Sequence, residues 1–403
     1  MNISSLRKHP IYRISIWIAL AAVLYIIWQI YTHLKPNLLT FGDSVQYWAA
    51  GRLVLIGENP YSAEMVLELR HQAGNFLEFP PDAISRMIYP PWILQLLIPF
   101  GIPTYPLSRS LWFLFNLTLV FISAKLIWDL YQGRKNQQWI AYLTVFSFAP
   151  TLFLLLVGHI TSLQLLGAVV FLNFVRYPKG EKWRDILAGS FAALVVIKFQ
   201  LLYLFLLALI LWTIEFRRWN VLIGFALFLL LTSVISLSIN QQVFAQFWEA
   251  FSNYPFENWE TPTLGRLLRV VFAVKSEWLQ FLPSIFGVIW FIYYWQINHK
   301  NWDWLTEMPI LIFVSLITST HMWTYDMVLL LLPVLQVMIE LIRRGWSRSV
   351  GIIILFYIII NGAAIYLHTS FHDFYFFWFT PAILIWYLIG RKLAQAKIST
   401  ISS

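Results

Sequence analysis

The chain has 403 residues, a net charge of +9, and 12% charged against 59% hydrophobic residues. A soluble domain carries about 25% charged residues, so most of this surface does not meet water and a large soluble domain is excluded. The basic excess follows from the positive-inside rule of membrane proteins and carries no argument for nucleic acid. The absence of cysteine excludes a thiolate nucleophile, a disulfide framework and a cysteine metal site.

Arg7, Lys8 and Arg13 precede an apolar run that reads as a retained first helix over about 12–33. Further apolar runs predict spans at about 107–131, 139–157, 160–176, 184–198, 199–215, 219–239, 282–297, 308–320, 325–343, 348–367 and 374–390. The expectation is an all-α polytopic protein with about twelve transmembrane helices. Residues 92–100, bracketed by Pro90, Pro91, Pro99 and Pro103, are too short to cross and read as an interfacial or re-entrant helix.

Basic pairs and clusters set the orientation. Arg134/Lys135, Lys179/Lys182/Arg184, Arg217/Arg218, Arg343/Arg344/Arg348 and Arg391/Lys392 fall in short connections or near the C-terminus. Placing all of them on the cytoplasmic side puts both termini there, in a cell membrane, and leaves two long outer loops at about 34–106 and 240–281. The first loop holds amphipathic stretches at Ser44–Leu55 and Ala63–Gln72, the former read as a helix. The 21 Trp fit belts at the two interfaces, or platforms for sugar and lipid. No internal repeat is evident, which weighs against a transporter.

Ionisable residues near membrane depth are costly and mark function by default. In this topology they gather on the outer side. Asp43 opens the first outer helix, either as its N-cap or as a carboxylate facing a cavity. Arg109 starts the next span, either snorkelling to head groups or binding a lipid phosphate. Gly158-His159-Ile160-Thr161 is a tight polar turn. Lys198 stands between two spans with almost no loop, where an anionic partner, naturally a phosphate, suits its point charge. His321, beside Tyr325 and Asp326, has the chemistry of a general acid/base. His372 and Asp373 read as plain loop. No spacing of His and carboxylates defends a metal site, and no nucleotide-binding motif is present.

In order, these segments are an outer Asp, Gly57–Tyr61 (GENPY), Tyr89–Pro91 (YPP), Gly158–Gln164 (GHITSLQ), Lys198–Gln200 (KFQ) and Ser319–Pro333 (STHMWTYDMVLLLLP). The set resembles the DUF2029 proteins, glycosyltransferase family 87, a class that includes polyprenol-phosphate-mannose-dependent mannosyltransferases. The resemblance implies one GT-C-type transmembrane domain over residues 1–403, with a large first outer loop. It also implies transfer of a hexose, mannose in the first instance, from a polyprenyl-phosphate sugar to a lipid, glycan or protein acceptor at the outer face. It maps the catalytic roles onto Asp43 and His321. Lys198, Arg109 and Gln200 are expected to hold the donor phosphate. Tyr47, Tyr61, Tyr89, His159, Tyr325 and Asp326 are expected to line the substrate side. His159 and Phe199 depart from the residues commonly found at those places. No cofactor or metal is implied, and the partners are the lipid-linked donor, the acceptor and membrane lipids. A transporter or flippase of lipid-linked sugars is the competing reading, and it predicts polar residues at mid-membrane in matched halves.

Overall fold

The computed structural model describes residues 42–73, 87–177, 181–254, 259–272 and 278–395. The expected first helix, its basic flank and the loop residues Glu78, Asp82 and Arg86 lie outside the described residues. Every regular element among the described residues is helical. The helices are α1 (Ser44–Leu55), α2 (Ala63–Gln72), α3 (Leu94–Gly101), α4 (Tyr105–Leu130), α5 (Trp139–Ser147), α6 (Ala149–Val157), α7 (Thr161–Val175) and α8 (Lys182–Ala192). They continue as α9 (Tyr203–Glu215), α10 (Trp219–Ile239), α11 (Val243–Ser252), α12 (Leu264–Val271), α13 (Trp278–Asn298), α14 (Trp304–Thr318), α15 (Leu331–Arg344), α16 (Arg348–His368) and α17 (Phe379–Gln395).

Six helical stretches among the described residues are long and apolar enough to cross a bilayer: Tyr105–Leu130, Trp219–Ile239, Trp278–Asn301, Thr324–Arg344, Arg348–His368 and Asp373–Gln395. The chain is thus an all-α, multi-pass membrane protein. The remaining expected spans are shorter or broken. Residues 139–157 form α5 and α6, bent by 63°. Pro150 sits in the first turn of α6. It has no N–H for the preceding turn, and its ring excludes the carbonyl a continuous helix would place there. The side chain of Asn361 on α16 replaces that support by accepting from the Ala149 N–H at 2.8 Å.

Apolar helices Pro91–Gly101, Thr161–Val175, Tyr203–Glu215 and Trp304–Thr318 fall below the length of a full crossing. One of these shortfalls, that of Tyr203–Glu215, follows from a break just before it. α8 ends at Ala192, and the chain runs through a tighter 3₁₀ segment, Ala193–Leu201, before α9 begins. Inside that segment Lys198 leaves helical geometry at φ −136°, ψ 73°. A backbone that breaks at membrane depth is tolerated only where protein or a cavity meets its freed polar groups. Here Gln164 of α7 does so, donating Nε2–H to the Val195 carbonyl at 2.7 Å and the Lys198 carbonyl at 3.0 Å.

The segment before α4 packs onto the bundle through α1 and α3. α1 and α2 have the limits of the two amphipathic stretches read from sequence, but α1 does not keep a polar face in solvent. It is buried over Ser44–Gly51 and again at Leu53 and Val54. It crosses α3 at Gly51 and Gly101, where a Cβ on Gly101 would lie 2.3 Å from the Gly51 carbonyl carbon. Only glycine allows backbones to come so close.

Candidate functional site

The start of α1 carries Asp43. The residue occupies the N-cap position, yet its side chain makes no capping hydrogen bond, so the capping role weighed from sequence is not what the carboxylate does. Its side chain is 23% exposed, and Oδ2 lies 3.8 Å from His159 Nε2. Burial pushes the Asp43 carboxyl up to about 6, against the lowering pull of Lys198, of the neighbouring Tyr325 hydroxyl and of Arg70.

His159 is brought there by the turn between α6 and α7. Gly158 takes φ +72°, and a Cβ at that position would also lie 2.9 Å from Cβ of Ser44. Glycine is therefore required twice, for the left-handed conformation and for the close approach to α1. Trp112 Nε1 donates to the Gly158 carbonyl at 2.6 Å and fixes the turn. His159 Nδ1 lies 2.7 Å from the Thr161 hydroxyl oxygen, whose own proton goes to Asp326, so Nδ1 carries the ring proton and Nε2 is the acceptor. Nε2 lies 2.7 Å from the Tyr89 hydroxyl. The ring stacks on Tyr325 at 4.1 Å and 22°. Burial first, and then the Lys198 charge, lower the His159 pKa well below its ordinary value and keep the ring neutral.

Asp326 anchors the other wall. It lies in a 3₁₀ turn, Thr324–Leu330, that leads into α15. Both carboxylate oxygens accept from Lys198 Nζ at 3.0 Å. The Thr161 hydroxyl donates to Oδ1 at 2.5 Å, and the Trp323 backbone N–H donates to Oδ2 at 3.0 Å. Lys198 Nζ also lies 5.2 Å from the Tyr325 ring centroid, within cation–π range. The turn is held from α17's side by Asp373, which accepts from the Thr324 hydroxyl at 3.1 Å. Asp373, read from sequence as plain loop, therefore supports the Tyr325–Asp326 pair.

Of the residues singled out in sequence, Asp43, Tyr89, His159, Lys198, Tyr325 and Asp326 converge in one cluster. Tyr47 packs beside them, its ring 5.7 Å from Tyr89. Tyr61 supports the cluster from behind, its hydroxyl donating to the Tyr89 carbonyl at 2.9 Å. Gln200 is half-buried, and its side chain makes no hydrogen bond among the described residues. The glutamine that braces the Lys198 segment is Gln164. Arg109 stands one turn after Tyr105, whose hydroxyl lies 3.2 Å from the Ser44 hydroxyl. The histidine next to Asp43 is His159. His321 lies against Trp259, ring centroids 5.4 Å apart. Burial, then Arg269 and Lys198, lower its pKa to about 4.

Two arginines were not among the expected site residues. Arg70 of α2 is buried, and its charge acts on Asp43. Arg269 of α12 is 8% exposed and has no hydrogen bond or ion pair to an acidic side chain among the described residues. The sequence signal for Arg269 was its place between two apolar runs, followed by the apolar residues Val270, Val271 and Phe272, which the fold leaves exposed. Among the described residues no three His, Asp or Glu side chains converge as a metal site.

The fold and the cluster define a polytopic membrane protein with an ionisable site at one end of its helices. The family model of glycosyltransferase family 87 matches residues 87–320, more than half of the chain, and the chain belongs to that family. It is accordingly a membrane glycosyltransferase. The match takes in Tyr89, Arg109, His159, Lys198 and Gln200, whereas Asp43, Tyr47, Tyr61, His321, Tyr325 and Asp326 fall outside it. No curated protein and no solved structure matches the chain.

Proposed function

We propose that the protein is a GT-C-type hexosyltransferase of one transmembrane domain with about twelve crossings. It takes its sugar, with mannose the first candidate, from a polyprenyl phosphate and delivers it to a hydroxyl of a lipid, glycan or protein at the outer face of the cell membrane. Asp43 takes the proton of the acceptor hydroxyl as that oxygen bonds to the anomeric carbon. The bond from the anomeric carbon to the donor phosphate oxygen breaks, and polyprenyl phosphate leaves with the electron pair. The transition state is oxocarbenium-like.

The observation that carries this reading is the state of Asp43. It is a partly exposed carboxyl, free of capping duty, with its pKa raised to about 6 and the charges of Lys198 and Arg70 acting on it. A base poised near the working pH is what proton transfer requires. Lys198 is shared with Asp326, so in this reading it orients the site and adds field to the donor phosphate. Arg269 supplies the uncommitted donors that meet the phosphate as charge develops on it. His321, neutral beside Arg269, adds a hydrogen bond to the same group. Arg109 and Gln200 stay candidates for the lipid-phosphate path at the rim. Tyr47, Tyr89, His159 and Tyr325 form an aromatic wall suited to a sugar ring.

The test is direct. Purified protein is given a panel of polyprenyl-phosphate sugars, and released polyprenyl phosphate is measured with and without acceptor. Release that depends on both donor sugar and acceptor supports the reading, and movement of the lipid-linked sugar across the bilayer without release would replace it with transport. The outer-face assignment is tested separately. The chain lacks cysteine, so Glu64→Cys should react with an impermeant thiol reagent added outside and Gly345→Cys should not.

A further inference from the structure

At the far end of the bundle lies a cavity of about 320 Å³ that the transfer reaction does not use. Three helices run to it from the candidate site. α7 starts beside His159 and ends at Val175 on the cavity wall. α9 starts after the Lys198 segment and ends near Trp212. α14 starts at Trp304 on the wall and ends at Thr318, close to His321. The cavity therefore belongs to the opposite membrane interface, among the basic residues assigned to the cytoplasmic side.

Its chemistry is specific. Trp212, Arg218, Trp302 and Trp304 form much of the wall, with Arg176 and Asp303 among the lining residues. Trp302 is 7% and Trp304 4% exposed, and neither indole N–H has an acceptor among the described residues. Buried N–H groups are nearly always bonded, so two together without acceptors in one wall call for a partner. Arg218 is already committed to the Asp185 carboxylate and to the carbonyls of Val175 and Tyr177. Asp303 is committed to the first turn of α14, accepting from the Leu305 N–H and the Thr306 hydroxyl. Arg176 is exposed, its side chain donating to the Tyr177 hydroxyl at 3.2 Å. Arg184, stacked on Tyr177, is paired with Glu181. The cavity thus offers neutral donors in its wall and, among its lining residues, one cation with donors to spare. That suits a singly charged, oxygen-rich group and is too little charge for a nucleotide polyphosphate. Around it Trp183, Ile214 and Trp219 are exposed, an apolar collar that suits acyl chains. Its volume is at the low end for small-ligand sites, and basic pockets between helices at this face are places where lipid head groups bind.

We propose that this cavity binds the phosphodiester head group of an anionic glycerophospholipid, with the Trp302 and Trp304 indole N–H groups donating to its oxygens and Arg176 supplying the charge at the rim. The lipid clamps the ends of α7, α9 and α14, the helices that lead to the candidate site.

The full chain, stripped of lipid in detergent, is titrated with phosphatidylglycerol or phosphatidylcholine of identical acyl chains and read by native mass spectrometry. One saturable site is expected, tighter for phosphatidylglycerol. The Trp302→Phe/Trp304→Phe variant keeps the rings and removes both N–H groups, and should bind phosphatidylglycerol about 10- to 100-fold more weakly, the loss expected for hydrogen bonds to a charged group. Equal affinity in that variant, or equal binding of the two lipids by the native chain, overturns the proposal. Arg176→Gln, outside the core, should erase most of the preference between the lipids even if the double variant does not fold, and an unchanged preference overturns the proposal. Millimolar inorganic phosphate that displaces the lipid would reassign the cavity to free phosphate. None of these readouts involves sugar transfer, so they stand or fall independently of the assigned reaction.

Discussion

Two buried ion pairs sit at opposite ends of this molecule, and they differ in what surrounds them. At one end Arg218 and Asp185 close on each other, and the remaining Arg218 donors reach the Val175 and Tyr177 carbonyls. Trp212 lies under the guanidinium, 5.2 Å from its carbon. Both charges of this pair are answered within the protein. At the other end Lys198 meets both oxygens of Asp326, but a second carboxyl, Asp43, stands beside the pair, partly exposed and with a raised pKa. Nearby, Arg269 has no acidic partner among the described residues. Burying a charge is tolerable only with a partner and hydrogen bonds. A closed set of partners makes a structural clamp, whereas charge left over marks a place where a ligand completes the set.

That contrast can be broken by substitution. The largest effect is expected at Asp43. Asp43→Asn keeps the shape and loses the base, so turnover should fall about 10²- to 10⁴-fold with thermal stability retained. A variant that folds and turns over normally removes the base assignment. Next in size is the clamp. Arg218→Met leaves Asp185 buried without its partner and should cost about 3–5 kcal/mol of stability, read as a fall in unfolding midpoint. Activity per folded molecule should stay near that of the native chain, since the site is at the other end of α7 and α9.

Arg269→Gln should then weaken donor binding by about 10- to 100-fold, the loss of a hydrogen bond to a charged group, while the KM for acceptor changes little. An unchanged donor affinity would return Arg269 to a structural role.

The smallest effect is a shift of a pH profile. The Asp43 carboxyl must be ionised to act as a base, so kcat/KM should drop as pH falls through about 6. Lys198 favours the ionised form. Lys198→Met removes that help and leaves Asp326 as an uncompensated neighbour. Both changes raise the Asp43 pKa, so the acidic limb should move to higher pH. A limb that stays in place, or moves to lower pH, would separate Lys198 from Asp43 in function.

Much of this was legible in the chain. The apolar runs required a multi-pass membrane protein, because so few charges leave no alternative surface. The limits of α1 and α2 followed from their local pattern, and the order of short polar motifs pointed to the family that the matched region establishes. The pairing within the site was not legible. Sequence reasoning joined Asp43 to His321, two residues with suitable chemistry on the same side. The fold instead sets His159 against Asp43, since Gly158 lets its turn approach Ser44. Lys198 was read as a cation awaiting phosphate, and its tie to Asp326 was invisible because 128 residues separate the two.

Local chemistry by itself determined where the polar residues gather: an ionisable side chain near an apolar run must sit at an end of that run or be compensated. Only the tertiary structure decided which of them are compensated by one another. That depends on how α1, α7, the broken Lys198 segment and the Asp326 turn meet, through contacts as short as a glycine backbone against a serine Cβ. No periodicity along the chain encodes the meeting of helices far apart in sequence, because side-chain spacing specifies the face a helix buries and leaves open which partner that face will find.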